Sequence, residues 1–94
     1  MYVRLTYSIY YGASKLRVLI TGGAGYIGSH TLIELLAIGC EVFVLDDLSN
    51  SSTVALNQVK LIAKRDFEFI KGDIRDANLL VEIFSCFKPE VVLH

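Results

Sequence analysis

The chain has 94 residues, which is enough for one small domain at most. Its residues are 53% hydrophobic and its net charge is −1, so we expect a folded, globular chain and not a disordered one. The balanced charge disfavours nucleic acid as a partner. No apolar run approaches the roughly 20 residues of a membrane span, and we expect a cytoplasmic protein with no membrane contact.

Residues 1–16 differ in pattern from the rest. Apolar side chains alternate with polar ones over residues 3–11, which is typical of an edge strand. The segment has no acidic residue, a property that it shares with organellar presequences. We predict a poorly ordered leader over residues 1–16 and a folded domain over residues 17–94.

Strand and helix patterns alternate from residue 17 onward. Short apolar runs predict four strands, and apolar residues spaced three or four apart predict the connecting helices. The predicted strands cover residues 18–20, 42–45, 67–70 and 91–93, and the predicted helices cover 27–38, 54–64 and about 77–87. This βαβαβαβ order predicts an α/β fold of Rossmann type, a parallel sheet with helices on both faces.

Apolar spacing also predicts which sides of the later helices are buried. The helix over 54–64 carries Val54, Leu56, Val59, Leu61 and Ile62 at suitable positions. The last helix, which Asp76 is placed to cap, carries Leu79, Leu80, Ile83, Phe84 and Phe87 on its predicted inner face. Cys40 and Cys86 have no partner at metal-ligand spacing, so we predict reduced, partly buried thiols and no metal site; one disulfide between them is the weaker alternative.

A glycine-rich turn, TGGAGYIGSH at residues 21–30, follows the first predicted strand and opens a helix. In this context the turn is typical of a dinucleotide-binding site. Gly22 permits the sharp turn, Gly25 lets the backbone approach a pyrophosphate, and Gly28 lets the helix pack closely. The N–H groups around Tyr26 and Ile27 then face the phosphates from a helix N-terminus.

Asp46 ends the second predicted strand, where a carboxylate accepts hydrogen bonds from the adenosine ribose and repels the additional phosphate of NADP. Asp47 adds to this repulsion, so the sequence predicts NAD as the cofactor. The alternative is a tight turn with an acidic loop and no ligand.

Two further groups of residues have two interpretations each. Asp73 follows the third predicted strand and either contacts the adenine amino group or serves as a turn or capping residue. Ser49, Asn50 and Ser51 either contact the adenosine ribose or phosphate, or cap the next helix.

Three blocks of the sequence resemble the extended short-chain dehydrogenase/reductases, and within them the UDP-glucose 4-epimerases (UDP-galactose 4-epimerases). They are TGGAGYIGSHT at residues 21–31, LDDLSNSS at 45–52 and FEFIKGDIRD at 67–76. The resemblance covers residues 17–94 and implies the N-terminal part of an NAD-binding Rossmann domain. Its implied NAD contacts are Gly22, Gly25, Tyr26, Ile27, Asp46, Asp47, Leu48, Ser49, Asn50, Ser51, Asp73 and Ile74, with Asp47 standing where the family usually has asparagine.

In that family NAD stays bound while a nucleotide sugar is oxidised at C4 and reduced from the other face, in galactose metabolism. The resemblance implies a nucleotide-sugar substrate and a homodimer for a full-length member. The family's catalytic Ser/Thr and Tyr-x-x-x-Lys helix have no counterpart in residues 17–94, so we predict no catalytic residue, no epimerase activity and weak NAD binding for these 94 residues alone. Alternatives are a non-catalytic nucleotide-binding remnant and a piece of another sugar-nucleotide epimerase or dehydratase.

Tyr11 and Lys15 match the Tyr-x-x-x-Lys spacing by themselves. They lie too close to the first strand for the long helix that presents such a pair, so we interpret the match as chance or as a leader feature. His30 and His94 are interpreted as a helix-surface residue and a strand-end residue.

Overall fold

The structure is a computed structural model that describes residues 16–49 and 52–94. Strands and helices alternate along these residues, and their ends lie within one residue of the predicted ones. In chain order they are β1 (Arg17–Thr21), α1 (Tyr26–Ala37), β2 (Glu41–Asp46), α2 (Thr53–Ala63), β3 (Glu68–Lys71), α3 (Ala77–Cys86) and β4 (Val91–Leu93). Residues 1–15, with the Tyr11–Lys15 pair and all of the predicted leader except Leu16, lie outside the described residues.

The four described strands form one parallel sheet in the order β3-β2-β1-β4. β1 is an inner strand, and its Val18 pairs with Val42 of β2 on one side and Val91 of β4 on the other. The chain therefore moves outward from β1 to β3 and then crosses back to β4, which confirms the predicted Rossmann-type topology. The reversal leaves a crevice at the carboxyl ends of β1 and β4, where sheets of this kind bind ligands.

The sheet is covered on both faces, because successive strand residues point to opposite sides. Val18 and Ile20 face the layer of α1 and α2, whereas Leu19 faces α3. The side chains of the larger core, on the α1–α2 side, are Leu16, Val18, Ile20, Ala24, Leu32, Leu35, Leu36, Cys40, Val42, Val44, Leu56, Val59, Phe67 and Leu93. The prediction of helices on both faces is thus confirmed.

The predicted inner face of α2 is wrong at three of its five positions. Leu56 and Val59 are buried, but Val54, Leu61 and Ile62 are 60%, 78% and 64% exposed. α2 packs against α1 along one narrow stripe, which Leu56, Val59 and Ala63 occupy. The other apolar residues lie on the outer side of the helix. Their apolar character alone does not distinguish them from the buried residues.

α3 contributes fewer buried side chains than its sequence predicts. Ile83 is buried and the Phe87 ring packs on Phe43 with their centroids 5.3 Å apart, but Phe84 is 47% exposed because it lies beyond the inner stripe. Cys86 is also exposed, so the prediction of a partly buried thiol is wrong there, whereas Cys40 is fully buried. Within the described residues, no helix is long and apolar enough to cross a bilayer.

Candidate functional site

The glycine turn leaves β1 at Gly22, whose φ of 74° lies in the left-handed region that glycine adopts without a steric penalty. The Gly22 N–H donates to the Leu45 carbonyl at 2.8 Å, and the Gly25 N–H donates to the Gly22 carbonyl at 3.2 Å. A backbone hydrogen bond therefore holds the start of the turn against the carboxyl end of β2.

Gly28 and Gly23 lie where a side chain has no room. A Cβ at Gly28 would overlap the Gly22 carbonyl oxygen and lie 2.9 Å from Gly23 Cα. A Cβ at Gly23 would lie 2.6 Å from Val44 Cγ1. Gly28 thus packs α1 closely against the turn itself, and Gly23 packs the turn against β2, a role that the sequence analysis did not assign.

Gly25 differs, because the protein leaves space beside it. A Cβ there would have only the Gly22 carbonyl oxygen within 4 Å, at 3.5 Å, which is an ordinary contact. Gly25 is the N-cap of α1 and has no side chain to bond the first N–H groups, and the first turn of α1 has no acidic residue. The partial positive charge at this helix end is therefore left for an anion from outside.

Tyr26 and Ile27 extend from that helix end into solvent. They are 81% and 58% exposed, although both are large hydrophobic residues. The Tyr26 ring lies edge-on to His30 with the ring centroids 4.6 Å apart, which places His30 on the helix surface as predicted.

Among the described residues, Asp46 is the most deeply buried polar residue, with 8% of its surface exposed. Its Oδ2 accepts a hydrogen bond from the Ala24 N–H at 2.9 Å, and its Oδ1 accepts one from the Leu48 N–H at 2.8 Å. The carboxylate thus joins the glycine turn to the loop after β2. Sequence reasoning assigned this residue a ligand role only, and the spacing of Asp46 from the turn gave no indication of the second role.

A cavity of about 220 Å³ opens at the carboxyl ends of the four strands. Four of its lining residues are among the predicted contacts, namely Gly22, Asp46, Asp47 and Ile74. The other four, which sequence reasoning did not select, are Thr21, Leu45, Gly72 and His94. Thr21, Gly72 and His94 lie at or directly after the end of a strand, and Leu45 lies one residue before one. That position could have identified them from the sequence.

Thr21 and His94 close one side of this cavity. Thr21 Oγ1 lies 2.6 Å from His94 Nδ1, and so links the ends of β1 and β4. His94 is at a strand end as predicted, but it also borders the cavity.

Asp73 lies between Gly72 and Ile74, which both line the cavity, and is held by Arg75. Arg75 Nη2 donates to Asp73 Oδ2 at 2.6 Å, and the Arg75 backbone N–H donates to Asp73 Oδ1 at 2.8 Å. These bonds lower the pKa of the Asp73 carboxyl to about 2. The residue that caps α3 is Asp76, which accepts from the Leu79 N–H, so Asp73 is a turn residue and not a helix cap.

The loop after β2 carries the remaining predicted contacts. Asp47 is exposed and accepts from the Ser49 N–H, a bond that lowers the pKa of the Asp47 carboxyl. Ser52 is the N-cap of α2, so Ser49 is not the helix cap. Asn50 and Ser51 lie outside the described residues.

A larger cavity of about 370 Å³ lies at the opposite edge of the sheet, among Cys40, Glu41, Arg65 and Phe87. None of the predicted site residues lines it. Since ligands of open α/β sheets bind at the carboxyl ends of the strands, we take the smaller cavity as the candidate site.

Comparison with known proteins matches residues 19–94 to the family model described as GDP-mannose 4,6 dehydratase. The chain is 51% identical over 77 residues to the UDP-glucose 4-epimerase of Bacillus subtilis strain 168, covering 82% of this chain and 23% of the relative. It is 52% identical over 77 residues to the UDP-glucose 4-epimerase of Haemophilus influenzae, with the same shares covered. The chain therefore spans about a quarter of the length of these relatives.

Solved structures show the same fold. A UDP-glucose 4-epimerase from Stenotrophomonas maltophila, with bound NAD and formylated UDP-arabinopyranose, superposes with a TM-score of 0.81 at 37% identity, over 84% of this chain and 24% of that one. The Bifidobacterium longum UDP-glucose 4-epimerase, in complex with NAD+ and UDP, gives a TM-score of 0.79 at 42% identity, over 81% and 23%.

Proposed function

The chain belongs to the GDP-mannose 4,6 dehydratase family, and we propose that it forms the NAD-binding part of a UDP-glucose 4-epimerase. The observation that carries this proposal is the joining of the glycine turn to Asp46 at the carboxyl edge of the sheet. The 43–52% identity to UDP-glucose 4-epimerases favours this branch of the family. NAD would supply the hydride acceptor and donor for epimerisation at the sugar.

The residues present fit NAD. The turn at Gly25 leaves space for a pyrophosphate beside the uncapped N–H groups of α1. Asp46 is held at the end of β2 by the Ala24 and Leu48 N–H groups, and it lines the cavity where a ribose would donate to its carboxylate. Asp47 adds a second negative charge, which favours NAD over NADP. Ile74 lines the cavity and Asp73 is its neighbour in the chain, so these two would contact the adenine.

The first experiment measures dinucleotide binding by the 94-residue chain. Weak binding is followed by ¹H–¹⁵N NMR titration with NAD and NADP, and we expect NAD to shift residues of the glycine turn at lower concentration than NADP. The methyl group of Gly25→Ala would occupy the space proposed for the pyrophosphate, so we expect NAD binding to weaken about tenfold or more. The fold should stay intact, because this methyl group meets no protein atom closer than 3.5 Å. An unchanged affinity in this variant, or equal binding of NADP, would contradict the proposed site.

The second experiment tests the enzyme class. Residues 19–94 replace the matching segment of the Bacillus subtilis UDP-glucose 4-epimerase, and the chimera is assayed for conversion of UDP-galactose to UDP-glucose. We expect activity in the chimera and none in the 94-residue chain, which supplies cofactor contacts only. A folded chimera without bound NAD would refute the proposal.

The family description favours a second candidate, the cofactor-binding part of a sugar-nucleotide 4,6-dehydratase. An epimerase inverts a sugar carbon, whereas a 4,6-dehydratase removes water from the sugar. Identifying the product of the enzyme that carries this segment therefore separates the two candidates. We further propose that this enzyme acts on a nucleotide sugar as a cytoplasmic homodimer, and size-exclusion chromatography with light scattering tests the dimer.

A further inference from the structure

Arg75 contacts the Asp73 carboxylate through both its side chain and its backbone N–H. Its side chain folds back on a residue only two positions earlier, with Nη2 to Asp73 Oδ2 at 2.6 Å and Nε 3.1 Å from both oxygens. Its backbone N–H adds a fourth contact, to Oδ1 at 2.8 Å. Arg75 is 87% exposed and Asp73 is 40% exposed, so a stabilising role for the pair is small, as it is for most exposed ion pairs.

The consequence of these contacts is orientation. A carboxylate has about four lone-pair positions, and the backbone N–H and the guanidinium fork together engage most of them. The backbone N–H bonds Oδ1, Nη2 bonds Oδ2, and Nε is shared equally between the two oxygens, so three donor groups occupy about three of the four positions. The Asp73 carboxylate is thus fixed in one rotation, with one acceptor position left for a ligand.

Arg75 also offsets the negative charge of two nearby carboxylates. Asp47, which lines the cavity, is repelled by Asp73, and Arg75 attracts both carboxylates. Without this cation, two uncompensated negative charges would stand beside a cavity that is proposed to take a dinucleotide, itself an anion.

From this geometry we infer that Arg75 is a positioning residue for base recognition: it fixes Asp73 so that one carboxylate oxygen accepts a hydrogen bond from the amino group of adenine. The inference rests on the proposed NAD site and adds to it a cause of specificity. A base with a carbonyl oxygen in place of that amino group has no hydrogen to donate there and faces the carboxylate with an acceptor.

The test compares NAD with nicotinamide hypoxanthine dinucleotide, which differs by that replacement, by NMR titration of the full 94-residue chain. We expect the parent chain to prefer NAD by about tenfold, the order of one hydrogen bond to a charged acceptor. Asp73→Asn and Arg75→Gln should each reduce the preference to less than about threefold. Arg75→Lys keeps the charge but lacks the planar fork, and it should lose the preference as well.

Lys60→Gln is the matched control. Lys60 Nζ contacts Asp66 Oδ1 at 3.0 Å in an exposed ion pair away from the cavity, so this variant should keep the full preference for NAD. If Arg75→Gln or Arg75→Lys retains the parent's preference while NAD still binds, the positioning role is wrong and the NAD site stands. If the parent chain binds neither dinucleotide, the proposed function fails and the inference with it.

Discussion

Replacing Gly28 with alanine adds a methyl group where the glycine turn already lies. The new Cβ would overlap the Gly22 carbonyl oxygen and stand 2.9 Å from Gly23 Cα, and both are backbone atoms that no side-chain rotation removes. Such overpacking costs about 1–3 kcal/mol, whereas the better helix propensity of alanine returns at most about 1 kcal/mol. We expect the free energy of unfolding to fall by about 1–2 kcal/mol, which lowers Tm by roughly 4–16 °C in a domain of this size.

Far-ultraviolet circular dichroism during thermal and urea unfolding measures this effect. Gly25→Ala is the control, because its φ of −76° suits alanine and its nearest contact is an ordinary 3.5 Å. The control loses no more than about 1 kcal/mol, the cost of a poorer N-cap. If Gly28→Ala unfolds at the same temperature as the parent, or if Gly25→Ala is the less stable of the two, the close approach of α1 to the turn is not what requires glycine at position 28.

Three further predictions follow from single residues. Asp46→Asn turns one acceptor oxygen into an NH₂ group facing a backbone N–H, and should destabilise the chain by about 1–3 kcal/mol in urea unfolding; a change below about 0.5 kcal/mol would contradict the joining role. In the folded chain Cys86 should react with Ellman's reagent at once and Cys40 only on unfolding, because burial raises the pKa of the Cys40 thiol and hides it; rapid reaction of both thiols argues against the buried position. The Asp73 carboxyl, whose pKa falls from its ordinary 3.8 to about 2, favours folding above pH 4 and loses this contribution as the pH drops to 2; a carbon-detected NMR titration should give a midpoint near 2 in the parent and a higher one in Arg75→Gln.

The order of elements was predictable because its causes are local. Apolar runs of three or four residues define β1 and β2, and glycines follow β1 directly where the backbone requires a positive φ at Gly22. The glycine turn and the carboxylate at the end of β2 were recognised for the same reason, since each is a short pattern at the end of a strand.

Faces of the helices were less predictable. Val54, Leu61 and Ile62 are as apolar as Leu56 and Val59, and the sequence of α2 does not state which neighbour it packs against. Only the position of α1 beside α2 decides which of these side chains lose contact with water.

By itself the sequence determined the strand–helix alternation, the glycine turn and the acidic residue that ends β2. Tertiary structure alone decided what that residue does within the fold. Asp46 accepts hydrogen bonds from the N–H groups of Ala24, in the turn after β1, and of Leu48, in the loop after β2, and only folding brings these two loops together. Tertiary structure also decided that Gly28 faces the Gly22 carbonyl, that Thr21 meets His94, and that Arg75 folds back on Asp73. The first two of these depend on how the parallel strands and α1 stack in space, and the third on a side-chain rotation that the spacing of two residues permits but does not impose.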